Sequence, residues 1–332
     1  LKIMRWIEAK VIFEFQDTQL ATDLISNLFY DLGLQGVVVE TPEIESSEDW
    51  GDDAVIPEHW AVIGYFPDDA QSKKRLKIIK KSLEKLEAIN GVISHIVYAG
   101  IDEADWTETW KAFFQTEKIT TNIVVKPTWK EYSRKGDEIV LEIDPGMAFG
   151  TGTHPTTRMC IAMIEKHLKR SGSFLDVGTG SGILMVAAAK LGASKVWGTD
   201  SDDIAADVAW QNLMQNRISE TTFNILTTHL VDTVTERFDL VAANLTTTAV
   251  VTLLVDIKRV LTPNGLLICS GIIEADKKKV LEKMAILGFE ALEVLIKEGW
   301  VSFVCRPMSS STRASPDHPQ RIHTRVSRQR WQ

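Results

Sequence analysis

The segment Phe174-Leu175-Asp176-Val177 is a nearly apolar run that leads straight into Gly178-Thr179-Gly180-Ser181-Gly182, after which Ile183 to Leu191 has helical character. A strand that turns this abruptly into a helix needs glycine, because the backbone must bend sharply and let a ligand come close. The helix N-terminus beyond the turn presents free N–H groups and a partial positive charge, which suit a carboxylate or a phosphate. This one segment directs the chain towards an α/β fold with a parallel sheet. In such folds the ligand crevice lies outside the carboxyl ends of the strands.

The glycine spacing narrows the ligand. A dinucleotide fingerprint places its third glycine where Ile183 stands, but here that glycine comes one residue early, at Gly182. No Lys-Ser or Lys-Thr pair closes the turn, so it is not a phosphate loop for nucleoside triphosphates. An NAD-type or purely structural glycine turn is the alternative reading. Asp200 ends the next predicted strand, 22 residues after Gly178. A carboxylate there can accept two hydrogen bonds from a ribose diol. Asp202 and Asp203 follow and are read as caps of the helix beginning near Ile204. Asn244 ends the strand 238–243. An amide at that place can accept a hydrogen bond from an incoming amine and aim its lone pair, whereas its bland role is a turn or cap.

Ahead of the glycine turn lies Asp144-Pro145-Gly146-Met147-Ala148-Phe149-Gly150-Thr151-Gly152-Thr153-His154-Pro155-Thr156-Thr157. It has no hydrophobic periodicity and is rich in glycine and threonine. Pro155-Thr156-Thr157 reads as a helix start whose hydroxyls can cap the helix or bind a ligand. Phe149 could present its ring face to a cation. His154 is read as a hydrogen-bonding strut rather than a base.

The remaining pattern divides the chain. Val11, Phe13 and Phe15 alternate as in a half-buried strand, and Asp17-Thr18 caps a helix carrying Leu20, Leu24, Ile25, Leu28, Phe29 and Leu32, with Gly33 as its stop. Strands are predicted over 36–40, 60–66 and 92–101, with a basic amphipathic helix over 73–87. Strand, helix, strand, strand, helix, strand is the split ferredoxin-like order. The acidic stretch 43–53 and the lysines of the basic helix are read as solvated faces. Residues 102–118, with Trp106, Trp110, Phe113 and Phe114 near helical spacing, predict a connecting helix that packs its aromatic rings. Two strands over 123–127 and 138–143 lead into the larger region. There, strands are expected over 173–177, 195–200, 222–226, 238–243, 266–270, 290–296 and 301–305, the last two joined as a hairpin by Lys297-Glu298-Gly299. Residues 307–332, rich in Ser, Arg, Pro and His, are expected to be a disordered tail.

Composition limits the partners. Net charge is −8, with 44% hydrophobic and 25% charged residues. That balance argues against broad nucleic-acid binding and favours a small molecule or a basic protein. Cys160, Cys269 and Cys305 form no C-x-x-C pair, so neither a disulfide framework nor a metal site is expected, and a reducing cytoplasm is the default. No apolar run reaches membrane-spanning length, and Leu1 to Lys10 lacks a signal-peptide layout. The first residue is Leu rather than Met, so the true start is expected to differ.

The Asp144–Thr157 run and the Asp-x-Gly-x-Gly-x-Gly turn, in this order and spacing, resemble the methyltransferases of the large-subunit ribosomal protein L-eleven (the PrmA family). The glycine turn resembles motif one of S-adenosylmethionine-dependent enzymes. The resemblance runs from about Trp6 to Arg306. It implies a Rossmann-like seven-stranded methyltransferase domain over 119–306, preceded by a small α+β ferredoxin-like substrate-recognition domain over 1–101 and a linker helix over 102–118. It implies a monomeric protein-lysine N-methyltransferase that uses S-adenosyl-L-methionine, modifies lysine and N-terminal amines of L-eleven, and requires no metal. Thr157, Gly178, Asp200 and Asn244 match cofactor-site positions of the family. Gly180 belongs to the same turn, Phe149 is a candidate cofactor contact, and Asn244 is the catalytic candidate. The family typically reads Asn-Ile-Leu-Ala where this chain has Asn244-Leu245-Thr246-Thr247. A methyltransferase of another protein or small molecule, or a non-catalytic cofactor-binding assembly factor, stands as the alternative.

Overall fold

The computed structural model describes residues 5–32, 34, 37–42, 58–69, 71–102, 115–144, 152 and 154–308. Gly33, the acidic stretch 43–53, the aromatic cluster of 103–114, Phe149 and most of its loop, and the tail from 309 onward lie outside these residues. The chain divides into two compact units, Leu1–Phe114 and Gln115–Gln332.

The first unit contains β1 (Arg5–Glu14), α1 (Thr18–Asp31), β2 (Val37–Glu40), β3 (Ala61–Pro67), α2 (Ser72–Asn90) and β4 (Ile93–Asp102). Its sheet has the order β2-β3-β1-β4, and every pairing is antiparallel. Asp17 starts α1 as expected, its Oδ1 accepting from the Leu20 N–H at 3.0 Å. Ala9, Val11 and Phe13 alternate onto one face of β1 and form one core with Ala21, Ile25 and Phe29 of α1 and Ile79 and Leu83 of α2. A Cβ on Gly64 of β3 would lie 2.6 Å from Cε1 of Phe29 and 2.7 Å from Cδ2 of Leu34, so glycine there is what lets Phe29 lie on the sheet.

The second unit opens with a three-stranded sheet of β5 (Glu117–Lys118), β6 (Ile123–Lys126) and β7 (Ile139–Glu142), in sequential order. The connecting helix is corrected at both ends. Asp102 closes β4, and Glu117–Lys118 is extended because it pairs with Val125 and Val124 of β6.

The main sheet follows: α3 (Pro155–His167), β8 (Ser173–Val177), α4 (Ile183–Lys190), β9 (Lys195–Asp200), α5 (Asp203–Gln215), β10 (Phe223–Thr227), β11 (Phe238–Asn244), α6 (Thr247–Asp256), β12 (Leu261–Ile273), α7 (Lys277–Ile286), β13 (Phe289–Lys297) and β14 (Trp300–Pro307). The strand order is β10-β9-β8-β11-β12-β14-β13. The first five are parallel, and β14 runs antiparallel between β12 and β13, closing the predicted hairpin. The central strands are buried on both faces and therefore read as continuous apolar runs. Phe174, Leu240, Ala242, Ile268 and Val304 pack with α3 and α4 on one side. Leu175, Val177, Val241, Ala243, Leu267 and Phe303 pack with α6 and α7 on the other.

One strand is much longer than its sequence suggests. β12 starts at Leu261 rather than Leu266, because Leu261 pairs with Phe238 before an irregularity in the ladder. Pro263-Asn264-Gly265 has turn composition and hides that start. At its other end β12 continues past Gly271 to pair Ile272 and Ile273 with Val301 and Trp300.

Candidate functional site

The carboxyl ends of β8, β9, β11 and β12 form the edge at which a doubly wound sheet binds its ligand. At the end of β8 the turn is built from glycines with left-handed backbone: φ is 74° at Gly178, 52° at Gly180 and 76° at Gly182. At Gly182 the need for glycine is steric as well, since a Cβ would lie 2.9 Å from both Cα and Cβ of Ala209 on α5. At Gly178 a Cβ would run into the Leu245 side chain.

Backbone groups pin the turn to β9. The N–H groups of Gly178 and Thr179 both donate to the Thr199 carbonyl, at 2.8 and 2.9 Å. The Gly180 N–H donates to Asp200 Oδ2 at 3.0 Å, and the Asp202 N–H donates to Asp200 Oδ1 at 3.1 Å. Asp200 thus shapes the turn through one oxygen and the start of α5 through the other. Asp202 is the α5 cap, accepting from Ile204 N–H at 2.9 Å, while Asp203 is the first helical residue.

A second pair lies across β8 from this turn. Asn244 ends β11, and its Nδ2 donates to Thr157 Oγ1 at 3.2 Å. Thr157 is fully buried in the first turn of α3. Thr156, next to it, has its carbonyl held by Ser270 Oγ at 3.2 Å, and Ser270 shares a 2.6 Å hydrogen bond with the buried Ser302 hydroxyl. The Leu245 N–H donates to the Ser270 carbonyl at 3.1 Å, which fixes the chain just after Asn244. Leu245 therefore joins the two halves, with its side chain on Gly178 and its backbone against Gly271. Of the sequence candidates, Gly178, Gly180 and Asp200 come together as one group and Thr157 and Asn244 as another. Phe149 lies outside the described residues.

His154 is the strut its context suggested. It caps α3, with Nδ1 2.6 Å from Thr156 Oγ1 and 3.3 Å from the Thr156 N–H. Its ring stands edge-on to Trp300 at 5.0 Å between centroids. Burial pulls its pKa down to about 4, so the imidazole is neutral at pH 7.

Asp176 is the residue sequence reasoning passed over. It sits in β8 directly below the turn and is 1% exposed. Oδ2 accepts from Thr179 Oγ1 at 2.9 Å, while Oδ1 is a buried acceptor with no partner among the described residues. Burial, reinforced by the nearby Asp200 charge and opposed by the Thr179 hydrogen bond, pushes its pKa up to about 8. An orphaned acceptor below a left-handed glycine turn fits a ligand with an ammonium group beside a carboxylate. The signal was present in the sequence as an acid inside the apolar run 174–177.

The profile of the family described as ribosomal protein L11 methyltransferase (PrmA) matches residues 5–307. The chain belongs to this family. A ribosomal protein L11 methyltransferase of Desulfosudis oleivorans is 44% identical over 310 residues, covering 91% of this chain and 99% of the relative. One of Desulforapulum autotrophicum is 42% identical over 302 residues, with the same coverage. Among solved structures, the ribosomal protein L11 methylase of Lactobacillus delbrueckii subsp. bulgaricus matches with a TM-score of 0.56 and 28% identity, covering 59% of this chain and all of that one. The family uses S-adenosylmethionine, and the buried Asp176 acceptor and the glycine turn suit that cofactor's amino-acid end. Among the described residues no helix is long and apolar enough to cross a membrane, and no group of three or more His, Cys, Asp or Glu is placed to hold a metal.

Proposed function

We infer that the protein transfers methyl groups from S-adenosylmethionine to amines of ribosomal protein L11, including lysine side chains and the N-terminal amine. The observation that carries this reading is the family match over residues 5–307, which extends through both compact units. In this reading the unit 1–101 recognises the protein substrate, 119–306 carries the chemistry, and the enzyme works as a monomer in the cytoplasm.

The residues that would hold the cofactor are Gly178, Gly180, Asp176, Asp200 and Thr157, with Phe149 as a further contact. When bound, the cofactor supplies an electrophilic methyl group on a sulfonium. The chain's part is to present a neutral amine to it. Free lysine titrates at about 10.4, so the ammonium must give its proton to solvent water as it enters the desolvated site, which favours the neutral amine. Asn244 is suited to orient it. Its Nδ2 is committed to Thr157, which leaves Oδ1 as the atom to accept from an amine N–H. An acceptor so fixed leaves the nitrogen lone pair aimed away from the amide, as an in-line displacement requires. His154 serves as a strut rather than the base, because Nδ1 is engaged by Thr156 and burial lowers its pKa to about 4, far below that of the amine it would have to deprotonate.

A labelled-methyl transfer assay with purified ribosomal protein L11, read by intact mass and peptide mapping, tests this function. Mass gains in one-methyl steps on lysines or the N-terminus are expected. Cofactor binding with no gain on L11 would overturn the substrate and leave the cofactor site standing.

A further inference from the structure

Asn212 and Asn216 lie one helical turn apart near the end of α5, both buried, and neither belongs to the candidate site. Their carboxamides extend the sheet edge in place of a strand. Asn216 Oδ1 accepts from the Glu142 N–H at 2.9 Å, and its Nδ2 donates to the Glu142 carbonyl at 2.5 Å. Asn212 does the same two residues on. Its Oδ1 accepts from the Asp144 N–H at 3.0 Å and its Nδ2 donates to the Asp144 carbonyl at 3.3 Å. Each Nδ2 makes a second bond, and its acceptor is where the two differ: for Asn216 it is the Asn212 carbonyl at 2.7 Å, within the helix end, and for Asn212 the Ser181 carbonyl at 2.8 Å, inside the glycine turn. Both N–H bonds and the acceptor of that side chain are thereby used.

Asp144 is anchored from its other side as well, its carboxylate accepting from the Thr128 N–H at 2.8 Å and from the Thr128 hydroxyl. The turn itself needs an external tie, because three glycines at positive φ have wide conformational freedom when unbound. The first half is tied to β9 by Thr199 and Asp200. The second half is tied to α5, by the close approach of Gly182 to Ala209 and by Asn212.

We propose that Asn212 is a positioning residue for cofactor binding: it locks Asp144, two residues past the end of β7, to the glycine turn at Ser181, so the turn holds its binding shape before the cofactor arrives. A preformed turn spares the cofactor the entropy of ordering it. Asn216 secures Glu142 and, through Nδ2, the Asn212 carbonyl of its own helix end at 2.7 Å, and makes no bond to the turn.

The inference rests on the S-adenosylmethionine reading, and calorimetric titration of the full chain with S-adenosylhomocysteine separates the two. Absence of wild-type binding would remove that reading itself. Given wild-type binding, Asn212→Ala is expected to weaken affinity about ten-fold, the loss that one buried hydrogen bond of ordinary strength allows. Asn216→Ala is expected to lower the melting temperature as much as Asn212→Ala does, yet leave affinity within about two-fold of wild type. In transfer assays Asn212→Ala should raise the cofactor KM and keep kcat at saturation, as loss of uniform binding does. Should Asn212→Ala not fold, Asn212→Asp takes its place, since it keeps the shape and the acceptor and loses the donor; Asn216→Asp is its charge-matched control. Equal affinities for the Asn212 and Asn216 variants would overturn the proposal.

Discussion

The glycine turn and the Asn244 tip lie on neighbouring strands of one sheet, yet they are held in different ways. The turn is shaped mainly through its own main chain: the Gly178 and Thr179 N–H groups donate to the Thr199 carbonyl and the Gly180 N–H to the Asp200 carboxylate, with the Asn212 amide on the Ser181 carbonyl. The tip is held by side chains brought from far along the chain: Thr157 to Asn244, Ser270 to Thr156, and Ser302 to Ser270. The cofactor half thus rests mostly on the turn's own backbone, with Asn212 as its one distant side-chain tie among the bonds described, while the acceptor half is a product of tertiary packing. Each half should therefore fail separately.

The largest effect is expected from Gly178→Arg. A side chain there meets Leu245 at a left-handed φ, so the turn must open. Calorimetry should show no detectable cofactor binding by the folded variant, and retained binding would count against this site. Asn244→Ala should lower kcat by about a hundred-fold, the scale of a lost orienting contact, with only a few-fold loss of cofactor affinity through the Thr157 hydroxyl it releases. If affinity falls in step with kcat, the two halves are one unit and the comparison breaks.

Asp176 sharpens it through pH. Its folded pKa is raised from 3.8 to about 8, so the folded apo protein favours the protonated acid. The stability this contributes is complete below about pH 4, where the unfolded chain is also protonated, and is lost as pH rises towards 8. Asp176→Asn should flatten the fall in apo melting temperature between about pH 5 and 8, where the acid is protonated in the folded chain and ionised in the unfolded one, and weaken cofactor binding. A wild-type-like slope in the variant would show that Asp176 is not the group responsible. The smallest effect belongs to Ser270→Ala, which strips a partner from the Thr156 carbonyl and the Ser302 hydroxyl. A stability loss of about 1–2 kcal/mol is expected by denaturant titration. A few-fold drop in kcat with unchanged cofactor affinity would place Ser270 on the acceptor side.

The same contrast explains what could be read in advance. β8 and β9 were placed to the residue, because an apolar run ending in glycine or in Asp200 marks its own limit. The early start of β12 was hidden by Pro263-Asn264-Gly265, whose turn chemistry outweighed a pairing that only the tertiary ladder reveals. The connecting helix failed at Glu117–Lys118, where pairing to β6 overrides any local preference. Of the site, the glycines, Asp200, Thr157 and Asn244 carry a motif. Asp176 was visible as an acid in an apolar strand, but its orphaned oxygen and its proton affinity depend on burial that no spacing reports. Ser270, Ser302 and Asn212 act through partners tens of residues away, and a single sequence gives no cue to such bonds.

Leu245 lies between two glycines, its side chain over Gly178 and its main chain against Gly271. These three positions come from three different segments, yet a change at one alters what the others tolerate. A larger residue at Gly178 demands a smaller one at 245, whereas Gly271 faces main chain and has no such remedy. Their substitutions are therefore coupled in one direction only: a smaller residue at 245 makes room beside Gly178, but the left-handed φ of 74° still holds that position to glycine.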